Sequence, residues 1–591
     1  MEAKVIETDV LVVGGGGAGF RAAIAARENN IRVLLLSKGP LARCGATPMA
    51  GADYTLDGSS LHRLGFRGDP KDNREKFFND IVTQGYFLNN QKLVDQYVRN
   101  APDRLRELLE WGLKVDYSEE RAIDTSGINL MNVLLRRMRK AGAQVLEDTM
   151  LLDLLVQDGQ VVGALGLDIN TGEFIHFNCK AVIMATGGWH KAFWPNTGMR
   201  DLSGEGIAMA HRAGAEIGNM EFITFCCNVL LSPPVWRGSI AIYIMDLICG
   251  GELTNREGEV FLRKYDPYTV ETGTKTEWNK SFVSFASRKE VIEGRGSPLG
   301  GVYYGTGKVS WEDFERSAMM MFPNWKYKLM DLSELCKMLR SRGKVEVGPA
   351  VEYFDGGIVV NEQFETSVRG LYAAGECILG PFGSNRICSA ITEILVQGTD
   401  AGRNAAEYAA KAKTPFPDAA AFAPLREVAE LPLLGKDGVR PAPLRRQIQE
   451  MAHEYLGPIR NQQGLSSFIR VLDDAAATKL PSLTVSSPVR RYNKEWIDAL
   501  ELRNTVHLLR AAAKSALCRT ESRGVHFRKD HPYTDNDHWV RESVVRLVDG
   551  NLCVTSRPIT VTTMTPPKGQ LPFLDMMKMM MESRSDVGGA H

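Results

Sequence analysis

Near the start of the chain the apolar positions come in unbroken runs rather than in alternation. Val10–Val13 is one such run and Val33–Leu36 another, as buried parallel strands require. Between them stand Gly14, Gly16 and Gly19 in G-x-G-x-x-G spacing, then the small-residue helix "RAAIAAR". In a strand–loop–helix frame this spacing has a physical meaning. The helix N-terminus offers unpaired N–H groups and a positive dipole, and the glycines let a pyrophosphate approach. Two distant segments repeat the strand-into-turn pattern, "KAVIMATGGW" (180–189) and "GLYAAGEC" (370–377), the second followed by the small-residue helix "QGTDAGRNAAEYAA". A dinucleotide domain interrupted by an insertion at 236–350 is therefore expected. The Pro- and Ala-rich stretch 411–443 reads as a long connection. Beyond it the period turns helical: Leu444, Ile448, Met451 and Tyr455, then Ala499, Leu502, Val506, Leu509 and Ala513. From about 521 alternation and turns return.

Composition narrows the function classes. The 591 residues carry a formal net charge of zero, so no basic excess points to nucleic acid. No apolar run reaches the ~18–20 residues of a membrane span. "MEAKVIETDV" lacks an apolar h-region and a twin arginine, so an unprocessed, cytoplasmic chain is expected, peripheral to a membrane only through partner subunits. The ten cysteines are scattered, only Cys226 and Cys227 are neighbours, and no C-x-x-C occurs. No metal site or iron–sulfur cluster held by this chain alone is expected, and most thiols read as buried packing. The methionines of "MMKMMMESRSDVGGAH" read as core or partner contacts.

Taken with "LSGEGIAMAHRAGA", "NMEFITF", "TNREGEVFLRKY", "ASRKEV", "SNR" and the run 499–539, these segments resemble one family nearly end to end. It is the flavoprotein subunits of succinate dehydrogenase and fumarate reductase, with L-aspartate oxidase and adenylylsulfate reductase as relatives. The resemblance implies an α/β fold: an interrupted Rossmann-like FAD-binding domain (1–235 and 351–412), an inserted α+β capping domain (236–350), a helical domain (413–520) and a small C-terminal domain (521–591). It implies FAD along Gly14, Gly16, Gly17, Ala18 and Gly19, Ser37 and Lys38, and the loop Gly45, Ala46, Thr47 and Gly51. Met150 would reach the adenine. Further contacts would come from Ala185, Thr186, Gly187, Glu205, Glu376, Arg386, Ala390 and Ile391. The second strand ends in Ser37-Lys38 rather than an acid, so the motif leaves the ribose contact unassigned. Glu205 stands where the family has Asp. An iron–sulfur protein subunit is the implied partner.

The family's chemistry places a C=C bond over flavin N5, clamps carboxylates with cations, and protonates the second carbon from a cap arginine. Arg288 matches the cap arginine and Arg386 the carboxylate clamp. Other positions depart. Cys226-Cys227-Asn228 replaces His-Pro-Thr, Cys249 replaces a Glu before two glycines, and Glu352 replaces a His, where an anion would repel a dicarboxylate. The loop after Arg386 is one residue shorter. The expected substrate is therefore a monocarboxylate, thioester or bulkier enoate rather than plain fumarate. Redox-active thiols, an electron-transfer subunit without its own organic substrate, and a scaffold that only binds FAD are the alternatives. In "LARCGATPMAG" the position of the bonding histidine of covalent relatives is Gly45, and no histidine occurs from 1 to 61. FAD held without a covalent bond is expected, with a thioether at Cys44 as the alternative. In the family, loss of that bond goes with a lower flavin potential, suited to reduction.

Overall fold

The computed structural model describes residues 4–50, 53–118, 120–240, 249–265, 280–321, 333–386 and 389–582. Strand β1 (Lys4–Val13), helix α1 (Gly17–Arg27) and β2 (Val33–Leu36) form the expected opening unit, and β1 pairs in parallel with β2. The sheet grows by β3 (Gln144–Leu146), β4 (Thr149–Gln157), β5 (Gln160–Asp168) and β6 (Phe174–Met184) in the order β3-β2-β1-β6-β5-β4, with strand Leu371–Ala373 also on β6. Val13 lies level with Leu36 and Met184, and Met184 level with Ala373. The carboxyl ends of four parallel strands from distant parts of the chain thus form one edge, where an α/β sheet presents its ligand crevice. Helix α2 (Glu205–Arg212) stands near that edge.

Residues 223–354 build a second sheet, which begins before the expected insertion and ends just after it. β7 (Ile223–Leu230), β8 (Glu252–Thr254), β9 (Val302–Gly305) and β10 (Lys344–Phe354) pair antiparallel in the order β7-β10-β9-β8, with helix α3 (Lys280–Ile292) packed on β7 and β10. It has its own apolar core, separate from that of the first sheet.

Helix α4 (Ala390–Lys411) returns the chain to the first sheet and packs on α1. A Cβ on Gly398 would come within 2.6 Å of the Ala18 carbonyl oxygen, and one on Gly402 within 2.4 Å of that of Ala22. The small residues read from the sequence are what lets these helices touch backbone to backbone. The Pro- and Ala-rich connection differs from its reading, since Ala423–Leu434 within it is helical. A proline in the first turn suits a helix start, because its missing N–H is unpaired there anyway. The helical period is realised in α5 (Pro441–Tyr455), α6 (Gln462–Asp474) and α7 (Lys494–Cys518), with Ala499, Leu502, Val506, Leu509 and Ala513 all buried. Beyond α7, Met576 and Met580 pack against Phe77, Phe78 and Tyr97, while Met577 joins the core of the second sheet. Among the described residues no helix is long and apolar enough to cross a membrane.

Candidate active site

The loop after β1 and the N-terminus of α1 form the floor of a cleft. Gly14 has φ +125°, and a Cβ there would lie 2.2 Å from the Ala185 carbonyl oxygen, so only glycine fits. The α1 N-cap is Gly16, which offers no side-chain acceptor to the first-turn N–H groups, and the first turn holds no acid. The Gly17 N–H donates to Thr47 Oγ1 at 3.1 Å. Gly14, Gly16, Gly17, Ala18, Lys38, Gly45, Ala46, Thr47, Met150, Ala185, Thr186, Gly187, Glu205, Glu376, Ala390 and Ile391 line the cleft, which is open to solvent at its mouth.

Three expected positions lie elsewhere. Ser37 turns under the loop: its Oγ donates to the Gly39 carbonyl at 2.6 Å and lies 3.1 Å from Cys44 Sγ. Gly19 is a packing glycine, because a Cβ there would meet the Gly14 carbonyl oxygen at 1.8 Å. Arg386 stands behind the wall. Gly51 lies outside the described residues. The motif reading missed Asp201, whose Oδ2 accepts the Gly45 N–H at 2.7 Å, and Tyr353 on the wall.

The acid absent from the end of β2 arrives from two other helices. Lys38 Nζ donates to Glu205 Oε1 on α2 (2.7 Å), to Glu501 Oε1 on α7 (3.0 Å) and to Ser203 Oγ (3.0 Å), and Ser203 Oγ in turn donates to Glu205 Oε2 (2.5 Å). Burial works against the Lys38 ammonium, but the two carboxylates hold its pKa above the ordinary lysine value. Glu501 also pairs with Lys191, which reaches Asp498 at 2.9 Å. This buried alternation of charge joins the cleft to the helical domain.

At the opposite end, Arg386 lies flat on the Tyr353 ring, 3.4 Å from its centroid, with Phe382 at 4.3 Å, and its Nη2 bridges to the Glu393 carboxylate. Tyr353 OH donates to the same carboxylate at 3.0 Å. Lys280 and Arg288, about two turns apart on α3, share one face. Lys280 Nζ donates to both oxygens of Glu352, at 3.0 and 2.9 Å. The Glu352 anion, expected to repel a dicarboxylate, is thus compensated from the capping sheet's helix. Arg288 is 7% exposed and its Nη2 lies 2.5 Å from Glu454 Oε2 on α5. Beside it His453 is half-buried. Burial, with Arg288 and Arg237 nearby, brings its pKa down to about 4.

The cysteines sit differently from the expected thiol-lined pocket. Cys226, Cys227 and Cys249 are all buried in the second core with Phe282, Ala286 and Tyr304. The Asn228 side chain lies outside what is described. Cys44 is on the cleft wall, and burial pushes its thiol pKa up. No histidine occupies the expected donor positions, yet His190 reaches the site from the turn after β6, with Nε2 2.7 Å from the Glu352 carbonyl oxygen and 3.7 Å from Glu376 Oε1. Among the described residues no cluster could hold a metal ion.

Residues 9–282 and 334–391 match the family model described as FAD binding domain, and 445–571 match that described as fumarate reductase flavoprotein C-term. The chain is 30% identical to a fumarate reductase (CoM/CoB) subunit of Methanothermobacter marburgensis, over 92% of this chain and 97% of that protein. It is 29% identical to the fumarate reductase flavoprotein subunit of Mycobacterium tuberculosis, over 94% and 98%. Among solved structures it resembles Sdh1 of Mycobacterium smegmatis in complex with UQ1, with a TM-score of 0.84, 29% identity and coverage of 95% and 96%.

Proposed function

Since the chain belongs to the fumarate reductase/succinate dehydrogenase flavoprotein family, and is thereby an FAD-dependent oxidoreductase acting on CH–CH bonds, we propose that it reduces a C=C bond conjugated to a carbonyl in a substrate other than plain fumarate. Its own residues fit FAD. The glycine floor admits a pyrophosphate at an uncapped helix N-terminus, and the buried Thr186 Oγ1 and Glu376 Oε1 on the cleft wall have no hydrogen-bond partner among the described residues. With Gly45 at the bonding position, FAD would be held without a covalent bond. When bound, FAD supplies a hydride at N5.

The remaining work falls to the side chains. Arg288, held in the seam between α3 and α5, donates the proton to the second carbon, a step for which a guanidinium needs a dry, closed site. Arg386, held over the Tyr353 ring, orients the substrate carbonyl. The observation that carries the choice of substrate is the pairing of every candidate cation: Arg386 with Glu393, Lys280 with Glu352, and Arg288 with Glu454. A dicarboxylate needs two uncompensated cations, whereas a monocarboxylate or thioester needs fewer. The same pairing favours a second reading, a flavin subunit that only relays electrons to an iron–sulfur protein subunit. Flavoprotein homologues of this kind include subunits of larger complexes, and such a subunit is the proposed partner in either reading.

Anaerobic mixing of the reduced holo-protein with a panel of enoates separates the two. Flavin reoxidation by monocarboxylate or thioester enoates, faster than by fumarate, supports the first reading. Reoxidation by an iron–sulfur partner and by no enoate supports the second.

A further inference from the structure

At the cleft wall formed by Tyr353, Glu376 and α4, three carboxyl groups stand together: Asp355 and Glu393, both buried, and Glu376, which lines the cleft with 11% of its side chain exposed. The guanidinium that meets them, Arg386, is committed to Glu393, which also accepts from Tyr353 OH and from Gln397 Nε2 at 3.0 Å. Asp355 Oδ2 accepts from Thr224 Oγ1 at 3.0 Å, while its Oδ1 has no hydrogen-bond partner among the described residues. Glu376 faces the backbone of Phe354 and Gly188, and its Oε1 likewise has none among them.

Among the described residues the neighbouring groups add no compensating charge. Lys280 is spent on both oxygens of Glu352. His190 Nε2 lies 2.7 Å from the Glu352 carbonyl oxygen, so it carries the hydrogen and donates. Burial holds His190 near pKa 4, and the ring is neutral at pH 7. Among the described residues, then, the one guanidinium at this wall pairs with Glu393. An ionised carboxylate buried without a cation is strongly disfavoured, so the two without Arg386 are held as acids. Burial, with Glu393 adding, pushes Asp355 up to about 8, and burial with Glu393 and Asp355 does the same to Glu376.

We propose that Asp355 and Glu376 form a buried proton-binding site linked to the redox state of the FAD cleft. At neutral pH both carry their protons. In alkaline solution the pair loses a proton while the cofactor is oxidised. It regains that proton from solvent when two electrons enter, because negative charge arriving beside the pair favours the neutral acid. The electrons come from a mediator dye at an electrode, the proton from water, and the only bond made at the pair is O–H. The proposal rests on the flavin half of FAD lying at the Tyr353–Glu376 end.

The test uses the full-length holo-protein and its D355N variant, in which Asn replaces the neutral acid at equal size. Mediated spectroelectrochemistry should show a midpoint potential that falls more steeply with pH above about pH 8 in the wild type than in D355N. Parallel lines would overturn the redox link. Stability reads the protonation separately. A carboxyl whose folded pKa is raised releases its proton from the unfolded chain first, so the wild type loses stability as pH rises from the ordinary carboxylate range to about 8. The melting temperature of D355N relative to wild type should therefore climb across that window, and a constant difference would contradict the proposal. If D355N yields no folded protein, an infrared pH titration of the oxidised wild type decides. A carboxylic-acid C=O band present at pH 7 and lost on passing pH 8 supports the site, and its absence at pH 7 overturns it.

Discussion

Gly45 stands where covalent relatives carry the bonding histidine, and the Sγ of neighbouring Cys44 is engaged with Ser37 Oγ at 3.1 Å. Acid precipitation should therefore release the yellow colour into the supernatant from wild type and C44A alike, and colour retained in the wild-type pellet would contradict this. R288Q should keep its FAD content yet lower turnover by roughly 10²–10⁴-fold, the usual range for a lost general acid, measured as flavin reoxidation by an enoate. E352Q releases Lys280 from its counter-charge and should raise kcat/KM for fumarate by about tenfold, equivalent to ~1.4 kcal/mol. At this scale the sequence was readable wherever a residue acts through its backbone. Gly14, Gly16 and Gly17 stand in one local motif, and all three line the cleft. Asp201, Lys280 and His190 were not readable, because each acts through a contact with a residue far away in the chain.

The helices show how elements fix the cleft. Glu501 on α7 sits between Lys38 and Lys191, with 3% of its side chain exposed. E501Q would leave two buried ammonium groups with less counter-charge, and should cost about 3–5 kcal/mol, the range for breaking a buried ion pair, read as a lower melting temperature and weaker FAD retention. The helical period of α7 was legible from its apolar positions. Its link to Lys38 was not, because periodicity identifies the buried face of a helix and is silent on the polar residue that joins it to another domain. The helix Ala423–Leu434 was hidden for a related reason: prolines read as breakers, although one in the first turn costs a helix little.

Over the whole molecule, four strand ends from distant segments build one crevice, and a second sheet with its own core carries Lys280 and Arg288 to the seam above it. The interrupted α/β plan was legible because each of its pieces is a local strand-into-turn pattern. The charge balance of the seam was not, since it depends on Glu352, Glu393 and Glu454 meeting cations across domains. That balance is the ground for proposing an enoate reductase with altered substrate choice. Single-turnover product analysis tests it most directly. The FAD of the complete chain is reduced, excess reductant is removed, and an unsaturated monocarboxylate or thioester is added without oxygen. One saturated product molecule per FAD is expected, with fumarate reduced more slowly. Enoate recovered unchanged across the panel, while an iron–sulfur acceptor reoxidises the same flavin, would contradict it.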